Sequence, residues 1–243
     1  MKKDNVIKSL VVIVISMYII FLFTDIGFKN VANIYSTMLK FSTIVFCFLI
    51  ALLIGNDGID KIDTTFVQLA RFFTLLADLS LVILYRFELG IGCFCIVQFI
   101  YILRHGRGKS FKSIATRLII TMLLFGIVYI KIPIPNIDKS MYILALLYAS
   151  LLINSVIMAV TTYNRKFYSR LSCTLIAIGM VLFFLCDINV GLYNVIDFHD
   201  IEFIRVNSKE FLVGFLMWFF YLPSQLLLTL SGFNQNYLKK LFG

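Results

Sequence analysis

The sequence predicts an all-α membrane protein: a polytopic bundle of about eight transmembrane helices, both termini cytoplasmic, with residues 1–243 forming one membrane domain. Three observations lead there. The chain is 60% hydrophobic and 14% charged, with a mean hydropathy of +0.95. A soluble domain cannot hide that much apolar surface, whereas a bilayer accepts it. The apolar runs are continuous over ~20 residues, unlike the ~10-residue alternating segments of a barrel strand. The gaps between them are too short for a separate soluble domain.

Taken in order, the spans are read at 6–24, 34–54, 66–85, 87–103, 113–130, 141–161, 172–194 and 211–233. The first follows Lys2, Lys3 and Lys8 in the manner of a signal peptide. Its apolar stretch is long and no small-x-small cleavage site follows, so it is kept as a helix. Between the third and fourth spans Arg86 and Glu88 leave almost no loop, which implies a tight helical hairpin. Ile132-Pro133-Ile134-Pro135-Asn136 stops the fifth span, because proline lacks the helix donor and disfavours helix in the residue before it.

Charge gives the orientation. With eight spans both termini share a side, and that side gathers Lys2, Lys3, Lys8, Lys61, Arg104, Arg107, Lys109, Lys112, Arg165, Lys166, Arg170, Lys239 and Lys240. The positive-inside rule makes it cytoplasmic, with 56–63 as an acidic exception. The opposite loops mix Lys29, Arg86, Lys131, Lys139, Arg205 and Lys209 with Asp197, Asp200, Glu202 and Glu210. The net charge of +9 is spread over short juxtamembrane loops, which argues against a nucleic-acid partner. Membrane lipids are the expected partners, with 104–112 as a stretch for anionic headgroups. Cys47, Cys93, Cys95, Cys173 and Cys186 all fall inside spans and read as buried thiols. His105 and His199 belong to opposite surfaces, so no histidine metal site is expected; no cofactor motif is present either.

Two residues stand against the apolar background. Asp78 and Asp187 each sit deep inside a span, where a carboxylate costs roughly 2.5–3.5 kcal/mol on insertion scales. Asp78 lies eight positions before Arg86 and Asp187 ten before Asp197, both on outward-running helices. At 1.5 Å per residue both are about 10–15 Å below the outer surface. Lys40 lies about six residues past the outer end of its span, and Gln98 and Gln225 near the middle, so the polar groups occupy a layer from the middle to the outer half. Helical spacing then gathers Arg71, Thr74, Asp78 and Tyr85 on one face, and Trp218, Tyr221, Gln225, Thr229 and Gly232 on another. Gln98 with Tyr101, and Thr37, Lys40, Thr43 and Cys47, make two more. Such stripes should face one another, since lipid offers them no partner. An ion pair between Asp78 and Lys40 is one arrangement; snorkelling of Lys40 to the outer headgroups is another.

Ala77-Asp78-Leu79-Ser80-Leu81 followed by Gly92-Cys93-Phe94, Gln98 and Tyr101 resembles the Gly-Asp-x-x-Leu … Gly-x-Phe-x-x-x-His-x-x-Tyr pattern of the YhhN family. Lys40-Phe41-Ser42-Thr43 is similar to that family's Lys-Pro-Leu-Thr, and Phe183-Phe184-Leu185-Cys186-Asp187 to its Phe-x-x-Ser-Asp. Tyr221-Leu222-Pro223-Ser224-Gln225-Leu226-Leu227 is similar to its Tyr-x-x-Ala-Gln-x-Leu. The likeness runs in order from about 40 to 230. It departs where Gln98 replaces the family histidine, Ala77 a glycine and Phe41 a proline; glutamine cannot titrate near neutral pH.

The resemblance implies a membrane protein of about eight helices and a lysoplasmalogenase-like hydrolase, acting on the vinyl ether of a lysophospholipid. Asp78 and Asp187 would then form the acid/base pair, with Lys40, Gln98, Tyr101, Tyr148 and Gln225 binding or orienting substrate and water. A multi-pass protein of a bacterial plasma membrane is the expected setting. Two other readings stay open: a small proton- or cation-coupled transporter, and a lipid-binding protein without catalysis, which Gln98 favours.

Overall fold

Hydrocarbon offers no partner to a backbone amide, so a spanning segment satisfies its own groups by becoming helical. The computed structural model describes residues 3–131, 138–198 and 207–242. The proline segment 132–136 and the loop residues His199, Asp200, Glu202 and Arg205 lie outside them. The described residues form helices α1 (Lys3–Phe28), α2 (Ile34–Leu52), α3 (Lys61–Asp78), α4 (Phe87–His105) and α5 (Phe111–Lys131). They continue with α6 (Lys139–Val160), α7 (Arg170–Phe198), α8 (Asn207–Leu230) and the short α9 (Gln235–Phe242). Eight of these helices are long and apolar enough to cross a membrane, as the sequence predicts. The ninth escapes a hydropathy reading, being eight residues long and half polar.

Neighbour relations close a ring. In order around it α2 packs on α3, α3 on α4, α4 on α6, α6 on α7, α7 on α8, and α8 back on α2. α1 covers α2 and α8 from outside, while α5 leans on α6. Of α5's residues only Ile114 is buried. The six ring helices therefore have an inward side, and the polar stripes occupy it.

Two local devices shape the ring. Pro223 sits inside α8 and cannot donate to the carbonyl of Phe219, four residues back. The Tyr18 hydroxyl of α1 donates to that carbonyl at 3.0 Å, so the freed group is met from the neighbouring helix. After Asp78 the helix widens into a π-helical turn, Leu79–Ile83, and Tyr85 adopts φ 53° to turn the chain into α4. Gly90 completes this hairpin, since a Cβ there would meet Leu81 at 2.3 Å.

The basic end of the ring is closed by charge pairs. Arg104 holds Asp63 with two bonds of 3.0 Å and donates to Ser231, and Tyr168 donates to Asp63 at 2.8 Å; neither charged side chain is exposed. Nearer the surface Arg107 pairs with Asp60 at 2.8 Å, and that bond holds the Asp60 carboxyl below its ordinary value. Lys3 pairs with Asp57. The acidic loop 56–63 thus neutralises part of the basic face. α9 docks here as well, through Lys240 and Tyr237 to Asp4 at 2.6 and 2.8 Å. Two sequence expectations change. Arg104 is fully buried, hence not a headgroup ligand, and His105 is buried and stacked on Tyr101 at 5.1 Å, away from the surface.

Tyr18→Phe should lower stability in detergent by about 1–3 kcal/mol, because it leaves the Phe219 carbonyl unmet. An additional Pro223→Ala change should recover most of that loss. Denaturant titration followed by circular dichroism reads both; an unchanged midpoint for Tyr18→Phe would rule the bond out.

Candidate functional site

The inward polar residues form layers along the ring axis, each joining different helices. At the end away from the basic loops, on the α1 side of the ring, Lys40 of α2 meets Asp25 of α1 at 2.8 Å and donates to the Val31 carbonyl at 2.7 Å. Ser36 donates to the same Asp25. The ammonium lies over the rings of Trp218 and Phe21, 4.9 and 5.3 Å from their centroids. Lys40 and Asp25 are fully buried. Neither arrangement expected from sequence holds, because Lys40 pairs with Asp25 instead of Asp78 and does not reach headgroups. Asp25 falls one residue past the end of the span as read, where hydropathy counts it as loop.

One layer further in are the two intramembrane acids. Asp78, 3% exposed, accepts a bond of 2.7 Å from Tyr221 of α8. Asp187 of α7, half-buried, accepts one of 2.6 Å from Tyr148 of α6. The Phe94 ring sits between these tyrosines, 6.2 Å from Tyr148 and 6.4 Å from Tyr221, and Phe183 packs on it at 5.8 Å. The two tyrosine–carboxyl pairs thus share the Phe94 ring. Both therefore belong to one interior, linked by tyrosine hydroxyls and an aromatic partition.

Gln98 of α4 extends the Asp187 branch. It receives the Ser155 hydroxyl at 2.6 Å on its carbonyl oxygen and approaches Tyr148 through its amide at 3.5 Å. A line of contacts runs Ser155, Gln98, Tyr148, Asp187, with the glutamine amide where the family pattern has an imidazole.

Below the acids Arg71 of α3 reaches across the ring. Its guanidinium donates to the Gln225 side chain, to the Gln225 carbonyl at 3.3 Å and to the Tyr101 hydroxyl. Tyr101 and Gln225 therefore engage Arg71 and not the aspartates. Arg71 is 1% exposed, and among the described residues it forms no ion pair with a carboxylate. Asp78, seven residues on and about 10 Å along the helix axis, lies within electrostatic reach of it. The sequence had put Arg71 on the Asp78 stripe without giving it a role. The usable signal was that a cation two turns from a buried acid on one face needs acceptors from other helices. Among the described residues no group of three or more His, Cys, Asp or Glu side chains converges as a metal site.

A sequence model of the YhhN family matches residues 35–232. The chain belongs to the YhhN family. The match spans all six ring helices together with α5, and leaves out α1, α9 and Asp25. In this YhhN protein the segments that carried the resemblance meet in space. Asp78, Gln98, Tyr101, Asp187, Tyr221 and Gln225 line the ring interior, while Lys40 faces α1 at the junction of α2 and α8. No curated protein and no solved structure matched the chain.

Asp25→Asn should cost about 3–5 kcal/mol, since it strands a buried ammonium. Joining it to Lys40→Met should restore most of the loss. Thermal unfolding of the single and double variants measures the coupling, and simple additivity would show that the two charges act independently.

Proposed function

We propose that this protein is a membrane-embedded hydrolase of the lysoplasmalogenase type, which opens the vinyl ether bond of a lysophospholipid with Asp78 and Asp187. The observation that carries the reading is that two intramembrane carboxyl groups, from α3 and α7, are each bonded to a tyrosine packed on the same Phe94 ring. Each is oriented by its tyrosine hydroxyl, and Phe183 packs on both Phe94 and Tyr221 between them. Family membership supports the same reading.

Vinyl ether hydrolysis asks for a proton donor and a base. One carboxyl, in its acid form, transfers a proton to the alkene carbon remote from oxygen, leaving an oxocarbenium ion. The other, ionised, stabilises that cation and takes a proton from the attacking water. The resulting hemiacetal collapses as its hydroxyl proton returns to a carboxylate and the glyceryl oxygen leaves protonated. One water is consumed, and a fatty aldehyde and a glycerophospho-compound are released. Two carboxyl groups handle a comparable cation in glycosidases.

Other residues hold this pair in place. Tyr221 and Tyr148 fix the carboxyl orientations, and Gln98 supports Tyr148, a role that needs a hydrogen bond and no titration. Arg71, with Tyr101 and Gln225, forms a polar floor beneath them. Lys40 is committed to Asp25, so it acts on the shape of the outer end and not as a phosphate ligand. A single-chain lipid suits the site, because its tail can stay in hydrocarbon while its ether reaches the half-buried Asp187.

The purified protein, given a lysoplasmalogen in detergent micelles, should release fatty aldehyde. Asp78→Asn and Asp187→Asn should each lower that rate about 10²–10⁴-fold, with helix content and elution volume unchanged. Equal release from all three proteins removes the acids from the chemistry. Absence of aldehyde from the unmodified protein would sink the enzymatic reading.

A further inference from the structure

A second polar concentration lies at the opposite end of the molecule, where α5 begins. An open hollow of about 510 Å³ is lined by Ser110, Lys112, Ser113, Thr116, Arg117 and Ile120. Its lining offers three hydroxyls and two cations. Arg117 carries a buried Nη1 with no hydrogen-bond partner. Lys109 and Arg165 add their charges nearby. Arg165 is occupied with main-chain carbonyls and the Thr161 hydroxyl, its Nη2 to Met158 at 2.6 Å and its Nε to Thr161 at 3.1 Å, so its charge is not cancelled. Among the described residues none of Lys109, Lys112, Arg117 and Arg165 pairs with a carboxylate. Burial, together with the Arg117 and Arg165 charges, holds the Lys109 ammonium below its ordinary value. This is what unbalanced positive charge looks like. The neighbouring cations differ, since Arg104 and Arg107 each have an aspartate.

The same face of α5 continues as hydrocarbon. Ile120, Leu124 and Ile127 follow Thr116 at spacings of four, four and three, and they are 52%, 56% and 55% exposed. Only Ile114 of this helix is buried. A cationic, hydroxyl-lined hollow on the basic side thus opens directly onto an apolar stripe running into the membrane. Hydroxyls and guanidinium together suit a phosphate's oxygens, and the stripe suits an acyl chain.

We propose that the start of α5 binds an anionic phospholipid of the leaflet on the basic side, its phosphate at Lys112, Ser113 and Arg117 and one chain along Ile120, Leu124 and Ile127. The site is separate from the aspartate layer and does not rest on the hydrolase reading. A free phosphate ion would use the hollow but leave the stripe without a part, and that favours the lipid.

Native mass spectrometry of the detergent-purified protein, incubated with phosphatidylglycerol or with phosphatidylcholine of the same chains, tests this. The unmodified protein should retain the anionic lipid preferentially. Lys112→Gln and Arg117→Gln should each reduce that preference about fivefold. Lys112 is exposed, so its substitution leaves the fold intact. Excess inorganic phosphate should not displace the lipid. Displacement by phosphate would reassign the hollow to a soluble anion and overturn the lipid proposal. Equal retention of both lipids, or a preference untouched in both variants, would overturn the site itself.

Discussion

A polar side chain on a spanning helix has no water to turn to, and the arrangement of this protein follows from that constraint. These buried cations are met from another helix: Lys40 of α2 by Asp25 of α1, Arg71 of α3 by Gln225 of α8 and Tyr101 of α4, Arg104 of α4 by Asp63 of α3 and Ser231. Apolar contacts alone fix helix register weakly, because leucine packs on leucine or on lipid with little difference. The polar layers are directional and so select one rotation and one height for each ring helix. The burial of those charges is weak support for stability as such, since their desolvation offsets much of the attraction. Their effect lies in making the wrong registers expensive.

The same constraint explains irregularities that would otherwise look like defects. Pro223 frees a carbonyl in α8, and Tyr18 meets it from α1. The π-helical turn follows Asp78 directly, so the backbone departs from regularity where a carboxyl must be held. Tyrosines recur as partners of the acids: Tyr221 for Asp78, Tyr148 for Asp187 and Tyr168 for Asp63. A phenol suits that task, with a large apolar body for packing and one hydroxyl for the carboxylate.

Much of the site was legible because an ionisable residue inside a long apolar run is conspicuous. Asp78 and Asp187 were singled out that way, and their similar distances from the helix ends, eight and ten residues, predict a common depth. Lys40 was found too, but its partner was misjudged. Asp25 stands where the apolar run ends, and hydropathy cannot tell a buried helix end from the start of a loop. Arg71 was assigned to the correct stripe, yet its bridging of three helices depends on where α4 and α8 lie, which a stripe does not specify. Gln98 reads in sequence as a group that can hold a hydrogen bond or orient substrate but cannot titrate. In the folded chain it takes a place in the line from Ser155 to Asp187, which a hydrogen-bonding amide can fill.

The sequence by itself determined the class of protein and the number of apolar spans, and it set the expected orientation and depth of the acids. These follow from hydropathy, charge asymmetry and the fixed rise of a helix, all of which are local properties. Tertiary structure alone decided that six helices close into a ring, which helix stands beside which, and hence that Lys40 belongs to Asp25 while Tyr221 and Tyr148 belong to the two intramembrane acids. Partner choice of that kind is a matter of distance between helices remote in the chain, and no local pattern records it.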